Sequence, residues 1–165
     1  MTEITLQGNK INTNGEIPKV GSQAPEFILV DSDLNDVSLS NFEGKNIILN
    51  VIPSLDTPVC QKSTKIFNEK TSVLSDVVVL AVSADLTFAM KRFCTAESID
   101  SVKPMSMMRS RNFAKDYGVL IIDGPLSGIT ARAVIVIDKE KKIIHSELVQ
   151  EIANEPDYDT ALNSL

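Results

Sequence analysis

Apolar residues along this chain fall into short runs of two kinds. Asn46 to Ile52 and Val77 to Val82 are almost unbroken apolar stretches, the pattern of strands covered on both faces. Elsewhere apolar positions recur at helical spacing, as with Leu86, Met90 and Phe93 leading up to Cys94, which predicts one buried helix face. Thr64, Phe67 and Thr71 mark a similar face after Cys60. Thr2–Leu6 and Lys10–Thr13 flank Gly8-Asn9 and predict an N-terminal β-hairpin. Phe27–Val30 and Val37–Leu39 are short strands separated by turn residues from Asp31 to Asp36. Val102–Met105 is a weaker strand, and Asn112–Tyr117 a short helix stopped by Gly118 as its C-cap. Ala131–Asp138 and Ile143–Leu148 form a second hairpin around a lysine-rich turn, and Glu155-Pro156-Asp157 opens a last helix with Pro156 in its first turn. Ile17–Pro25, Asn41–Lys45 and Gly124–Gly128 read as loops.

Strand, helix, strand, helix, then a hairpin and a terminal helix describe an α/β fold, a mixed sheet flanked by helices. At 165 residues the chain has the size of one domain, 1–165, and no linker, repeat or low-complexity tract divides it. Hydrophobic residues make up 43% with no Trp, so the core is mainly aliphatic. The net charge of −6 and the scattered basic residues speak against nucleic acid as a partner. Lys139 to Lys142 reads as a solvated turn. The first ten residues have no apolar signal-peptide core, and no segment has the length and apolarity of a membrane span, so a cytoplasmic location is expected.

Location sharpens the reading of Cys60 and Cys94, the only two cysteines, because cytosolic disulfides are usually transient and catalytic. The cysteines are too far apart for a CxxC dithiol, and with the single His145 they cannot make a four-ligand zinc site. His145 falls in a strand pattern and is expected exposed on one face, without a catalytic role. Alone, Cys60 would read as a small buried core residue. Its neighbours change that. Pro53 ends a strand without offering an N–H, Asp56 and Thr57 are helix-starting residues, and Pro58 suits a first helical turn. A sulfur at a helix N-terminus meets partial positive charge and unpaired N–H groups, which favour the reactive thiolate. Thr57 Oγ is expected beside that sulfur. Cys94 is either a residue on the Leu86/Met90/Phe93 helix face or a second redox thiol.

The string Pro53-Ser54-Leu55-Asp56-Thr57-Pro58-Val59-Cys60 resembles the peroxiredoxin active-site pattern, Pro-x-x-x-Thr-x-x-Cys. Val82–Cys94 and Gly124–Val134 are similar to two further motifs of one branch, the bacterial thioredoxin-dependent thiol peroxidases, or atypical 2-Cys peroxiredoxins. The resemblance spans the chain. It implies a thioredoxin-like fold with an N-terminal hairpin, with Cys60 as peroxidatic cysteine, Cys94 as resolving cysteine, and Arg132 as the active-site guanidinium. It further implies a hydrogen bond from Thr57 to the thiolate, a pocket shaped by Pro53 and Pro58, an intrasubunit disulfide, and recycling by thioredoxin. The partners it implies are peroxides, thioredoxin and a second copy in a homodimer; no metal or cofactor is needed. Phe88 and Leu126 are candidate apolar neighbours of the substrate. Ile52–Pro58, Phe88–Lys91 and Tyr117–Leu120 are candidate dimer contacts. Two positions depart from the pattern: Thr87, where relatives often carry Pro, in what reads as the loop before the resolving helix, and Gln61, where many carry an acid. Two rival readings are a redox sensor switched by the same disulfide and a domain that the disulfide merely stabilises.

Overall fold

A computed structural model describes residues 1–165. β1 (Thr2–Leu6) and β2 (Asn9–Thr13) form the N-terminal hairpin, with Ile4 opposite Ile11. Its turn is Gln7-Gly8, one residue earlier than the sequence pattern places it, and both residues have positive φ, 52° and 78°. That geometry matches the right-handed twist of paired strands.

The main sheet has seven strands in the order β4-β3-β7-β6-β5-β8-β9. β3 (Ile28–Val30) and β4 (Asp36–Ser38) are an antiparallel pair, followed by a 3-10 turn at Leu39–Phe42 that no apolar periodicity marks. β5 (Asn46–Val51), α1 (Pro58–Thr71), β6 (Val77–Ser83), α2 (Thr87–Ala96) and β7 (Val102–Ser106) form a parallel β-α-β-α-β unit. After α3 (Asn112–Asp116), β8 (Ala133–Ile137) pairs antiparallel to β5, and β9 (Ile143–Leu148) closes that edge. α4 (Tyr158–Asn163) ends the chain's regular structure. The expected mixed sheet flanked by helices is therefore present.

The unbroken apolar runs become β5, β6 and β8, the sheet's central strands, which alternate between two cores. Leu49, Val51, Leu80, Val82, Ile135 and Ile137 face a core with Phe27, Phe113 and Tyr117. Ile48, Val79, Ala81, Val134 and Val136 face Phe67 of α1, Cys94 of α2 and Ala161 of α4. Period-2 alternation explains the split: each strand feeds both layers, so nearly every position is apolar, and buried Asn50 is an exception whose Nδ2 donates to Ser63 Oγ at 3.3 Å. Gly118 follows α3 as expected. Its φ is +67°, and a Cβ there would stand 2.1 Å from the Glu16 carbonyl oxygen, so glycine is required twice over.

Several boundaries and environments differ from the sequence reading. β8 begins at Ala133 because Leu120–Thr130 bridge and the Ala131 N–H donates to Val119 O, drawing the preceding residues toward the α3 loop. α4 begins after Asp157, which caps it by accepting from Thr160 N at 3.0 Å, and Pro156 stays outside. Thr87 is a buried first-turn residue of α2, not a loop residue. His145 is half-buried rather than exposed, and burial holds its imidazole below the usual range. Ile52, Leu55, Tyr117 and Val119 are buried, so only parts of the three candidate dimer loops reach the surface.

The hairpin is fastened to the chain's C-terminal segment by Glu151. Its carboxylate accepts from Gly8 N (3.0 Å), Thr5 Oγ (2.7 Å) and Gln7 N (3.0 Å). The backbone continues the contact, with Thr5 N donating to Gln150 O and Ile152 N to Thr5 O. Led by the Gly8 N–H, these donors lower the Glu151 pKa to about 2. A depressed carboxyl pKa gives stability that is present above the unfolded-state value and lost as pH falls through the folded one. The melting-temperature gap between wild type and Glu151→Gln should be widest above about pH 5 and close as the pH approaches about 2; a pH-independent gap would show that the carboxylate charge is not what holds the hairpin.

Candidate active site

The site is built where β5 stops. Ile52 still donates to Val82 O at 3.0 Å, and its own carbonyl accepts the Thr130 hydroxyl at 2.7 Å. Buried Pro53 has no N–H to extend the ladder. The chain turns tightly instead: Ser54 O accepts from Thr57 N at 3.2 Å and Thr57 Oγ at 3.1 Å. α1 then starts with Thr57 as N-cap and Pro58 first, so Cys60 lies in the first turn. The Cys60 carbonyl accepts from Ser63 Oγ (3.1 Å) and Thr64 Oγ (2.8 Å), both buried.

Arg132 lies one residue before β8, and the β5–β8 register places Val51 opposite Ala133, so strand pairing alone carries Arg132 to the end of β5. It is 2% exposed. Nη2 donates to Cys60 Sγ at 3.3 Å, and Nε donates to Ile152 O at 2.8 Å. Nη1 is buried without a partner. A buried cation needs compensating negative charge, and sulfur is the one side-chain atom that takes a guanidinium hydrogen bond here. The arrangement therefore sets one guanidinium nitrogen on Sγ and leaves Nη1 unpartnered for an oxygen or sulfur ligand.

Thr57 does not reach the sulfur: its hydroxyl is used by the Ser54 carbonyl, because the turn that starts α1 takes that donor first. Pro53 is buried, while Pro58 is exposed. The apolar neighbours of Cys60 are Ile52, Leu55, Met90 and Phe93. Leu126 instead packs on the hairpin core of Ile4 and Ile11, and Phe88 is 65% exposed. Gln61 is half-buried beside Cys60 in sequence.

Both cysteines are free thiols, and they occupy different cores. Cys94 sits with Ile48, Phe67, Ile99 and Val102, one turn along the same buried side of α2 from Met90, which packs with Cys60. Phe93 packs against both groups. Leu86 is exposed and precedes the helix, so it does not belong to the buried face that the spacing implied. Burial pushes the Cys94 thiol up to about 11.

Two residues around the site were not site candidates in the sequence. Tyr158 stacks edge-on against Phe67 at 5.3 Å and donates to Glu155 at 3.1 Å. Burial, and then Glu155, raise its phenol above the usual range. Glu155 also accepts from Lys62 at 3.0 Å, which with its other partners lowers its carboxyl. No group of three His, Cys, Asp or Glu side chains is placed to hold a metal ion.

Comparison with known proteins agrees with this geometry. The model of the Redoxin family matches residues 19–162. Thiol peroxidases of Mycobacterium tuberculosis and Mycobacterium bovis are each 50% identical over 165 residues, covering 100% of this chain and 99% of theirs. That of Vibrio cholerae is 48% identical over 162 residues, covering 98% of this chain and 99% of its own. Among solved structures, a peroxiredoxin-like protein from Aquifex aeolicus superposes with TM-score 0.93 at 43% identity, over 99% of this chain and 95% of its own. A thiol peroxidase from Chromobacterium violaceum shares the fold, with TM-score 0.88 at 23% identity, over 98% of this chain and 93% of its own. The chain belongs to the Redoxin family, with a thioredoxin-like peroxiredoxin fold carrying an N-terminal hairpin. Within that family it is an enzyme, a peroxiredoxin of the thiol peroxidase kind.

The buried, protonated Cys94 leads to a direct expectation. In the reduced native protein, iodoacetamide should modify Cys94 slowly at about pH 8 and faster as pH rises toward 11, because the thiolate is the nucleophile. In denaturant it should react like an ordinary cysteine. Rapid labelling of the native protein at the lower pH, read by peptide mass, would contradict the burial argument.

Proposed function

We propose that this thiol peroxidase reduces hydrogen peroxide and organic hydroperoxides through Cys60, with Cys94 as the resolving thiol and thioredoxin as reductant. The observation that carries the reading is the Arg132 Nη2–Cys60 Sγ hydrogen bond of 3.3 Å inside a buried site. The Cys60 thiolate attacks one peroxide oxygen in line with the O–O bond. That bond breaks, the distal oxygen leaves as alkoxide or hydroxide and takes a proton, and Cys60 becomes a sulfenic acid. Arg132 remains charged throughout. Its unpaired Nη1 is suited to the charge that develops on the peroxide. Thr57, placed at the mouth of the turn, contributes by letting its hydroxyl swing from Ser54 O to the incoming peroxide. Pro53 forms the pocket floor.

The second step is attack of the Cys94 thiol on the sulfenic sulfur, releasing water and forming a disulfide. A disulfide requires Cα atoms within about 7 Å. The placement of the two cysteines in separate cores supports a step in which the first turn of α1 and the Cys94 segment unwind toward each other. A reduced dithiol protein such as thioredoxin then restores both thiols. We place the enzyme in the cytoplasm as one domain and a homodimer, with the exposed Phe88 and Leu86 before and within α2 contributing to the contact. No helix is long and apolar enough to cross a membrane.

The test adds one equivalent of hydrogen peroxide to reduced wild type, Cys60→Ser and Cys94→Ser, followed by intact mass. Wild type should lose both thiols to a disulfide, Cys60→Ser should not react, and Cys94→Ser should hold a sulfenic acid. Slow, equal oxidation of both thiols would sink the peroxidase mechanism at Cys60. In stopped flow, Arg132→Met should lower the rate constant for Cys60 oxidation by roughly 10²–10³, the loss typical of one preorganised donor. Arg132→Lys should recover only part of it, because an ammonium lacks the planar fork that here reaches Ile152 O and Sγ together. A wild-type rate in Arg132→Met would remove the guanidinium from the mechanism.

A further inference from the structure

Asp85 lies between β6 and α2, outside the catalytic group described above, and it has the densest set of side-chain hydrogen bonds around the active-site loop. Its Oδ1 accepts from Ser54 Oγ at 2.8 Å. Its Oδ2 accepts from Leu55 N and Ser83 Oγ, each at 2.8 Å. Ser54 Oγ in turn accepts from Asp56 N at 3.1 Å, so the acid orders three consecutive residues of the loop that carries Pro53 into Thr57. At the same time the Asp85 backbone is held on the sheet. Its N–H donates to Ser83 Oγ at 3.1 Å, and its carbonyl accepts the Ser106 hydroxyl. The next residue, Leu86, is the N-cap of α2, the helix that bears Cys94.

We infer that Asp85 is a positioning residue that latches the Cys60 loop to the start of the Cys94 helix, and so sets the balance between peroxide attack and disulfide formation. The inference rests on the two-cysteine cycle proposed above. With the latch closed, Leu55 is pressed into the group of Ile52, Cys60 and Met90, and Arg132 meets the sulfur. With it open, the first turn of α1 loses its anchor and the two thiols are free to approach. Asp85 touches neither the sulfur nor Arg132. Its influence passes through Ser54 and Leu55.

The two states have different chemical fates. In the open state the sulfenic acid condenses with Cys94 and releases water. In the closed state a second hydroperoxide donates an oxygen to the sulfenic sulfur, giving sulfinic acid and the alcohol or water. Bonds to a carboxylate are among the stronger ones. Asp85→Asn keeps the shape but turns one acceptor into a donor that faces Leu55 N–H or Ser54 Oγ. Reduced wild type, Asp85→Asn and Ser54→Ala are each treated with a graded excess of hydrogen peroxide, and the ratio of disulfide to sulfinic acid is read by intact mass. Asp85→Asn should raise that ratio roughly tenfold or more while slowing Cys60 oxidation. Ser54→Ala, which removes one bond from the other side and leaves the acid, should shift both in the same direction by less, and it carries the test if Asp85→Asn does not fold. A purely structural contact would lower the melting temperature and leave the ratio alone, so an unchanged or reduced ratio in the folded variants overturns the latch. A wild type that forms no Cys60–Cys94 disulfide overturns the underlying cycle and the latch with it, whereas a normal wild type beside an unchanged variant overturns the latch alone.

Discussion

A guanidinium that is 2% exposed and 3.3 Å from a cysteine sulfur is a charge in a place where charge is costly. Most of the structure near the end of β5 can be understood as what holds that pair together. No carboxylate takes a hydrogen bond from Arg132; a backbone carbonyl and a sulfur do. The sulfur is the one side-chain atom set against the positive charge, which is the arrangement the proposed thiolate chemistry requires.

Support for the pair comes from distant parts of the chain. The β5–β8 pairing delivers Arg132 to Cys60. The segment after β9 supplies the Ile152 carbonyl that aims the guanidinium. That segment is itself bound to the N-terminal hairpin through the Glu151 carboxylate and through Thr5, whose backbone bonds Gln150 and Ile152 on either side of Glu151. The hairpin is thus part of the support of the active site, although none of its residues touches the sulfur.

The same compactness works against the second half of the proposed two-thiol cycle. Cys60 and Cys94 are buried in different hydrophobic groups, and Cys94 is held as a neutral thiol by that burial. In the cycle proposed above, the packing that holds Cys60 against Arg132 also keeps Cys94 apart, so the loop contacts would govern which reaction follows. Ser54, Leu55 and Asp85 are where those contacts concentrate.

Local chemistry made much of this protein legible from residues alone. Asn46–Ile52 and Val77–Val82 read as buried strands, Gly118 as a helix C-cap, and Pro53 through Pro58 as the turn from a strand into a helix start at Cys60, and the fold has each of these. Three motifs in order were enough to name the family, and the resemblance proposed roles for Cys60, Cys94 and Arg132. What those residues do to one another was not in the pattern. The Thr57 hydroxyl was expected on sulfur and instead closes the turn on Ser54; Leu126 was expected near the pocket and packs under the hairpin; Glu155 and Asp85, though inside a helix start and a motif, and Tyr158 were not marked as members of the site. Sequence determined the elements and the reactive residue types, because backbone propensity and burial period are set by near neighbours. Tertiary structure alone decided which donor meets which acceptor, because those partners are separated by 31 positions for Ser54 and Asp85 and by 72 for Cys60 and Arg132, and only sheet register and helix packing bring them within hydrogen-bond distance.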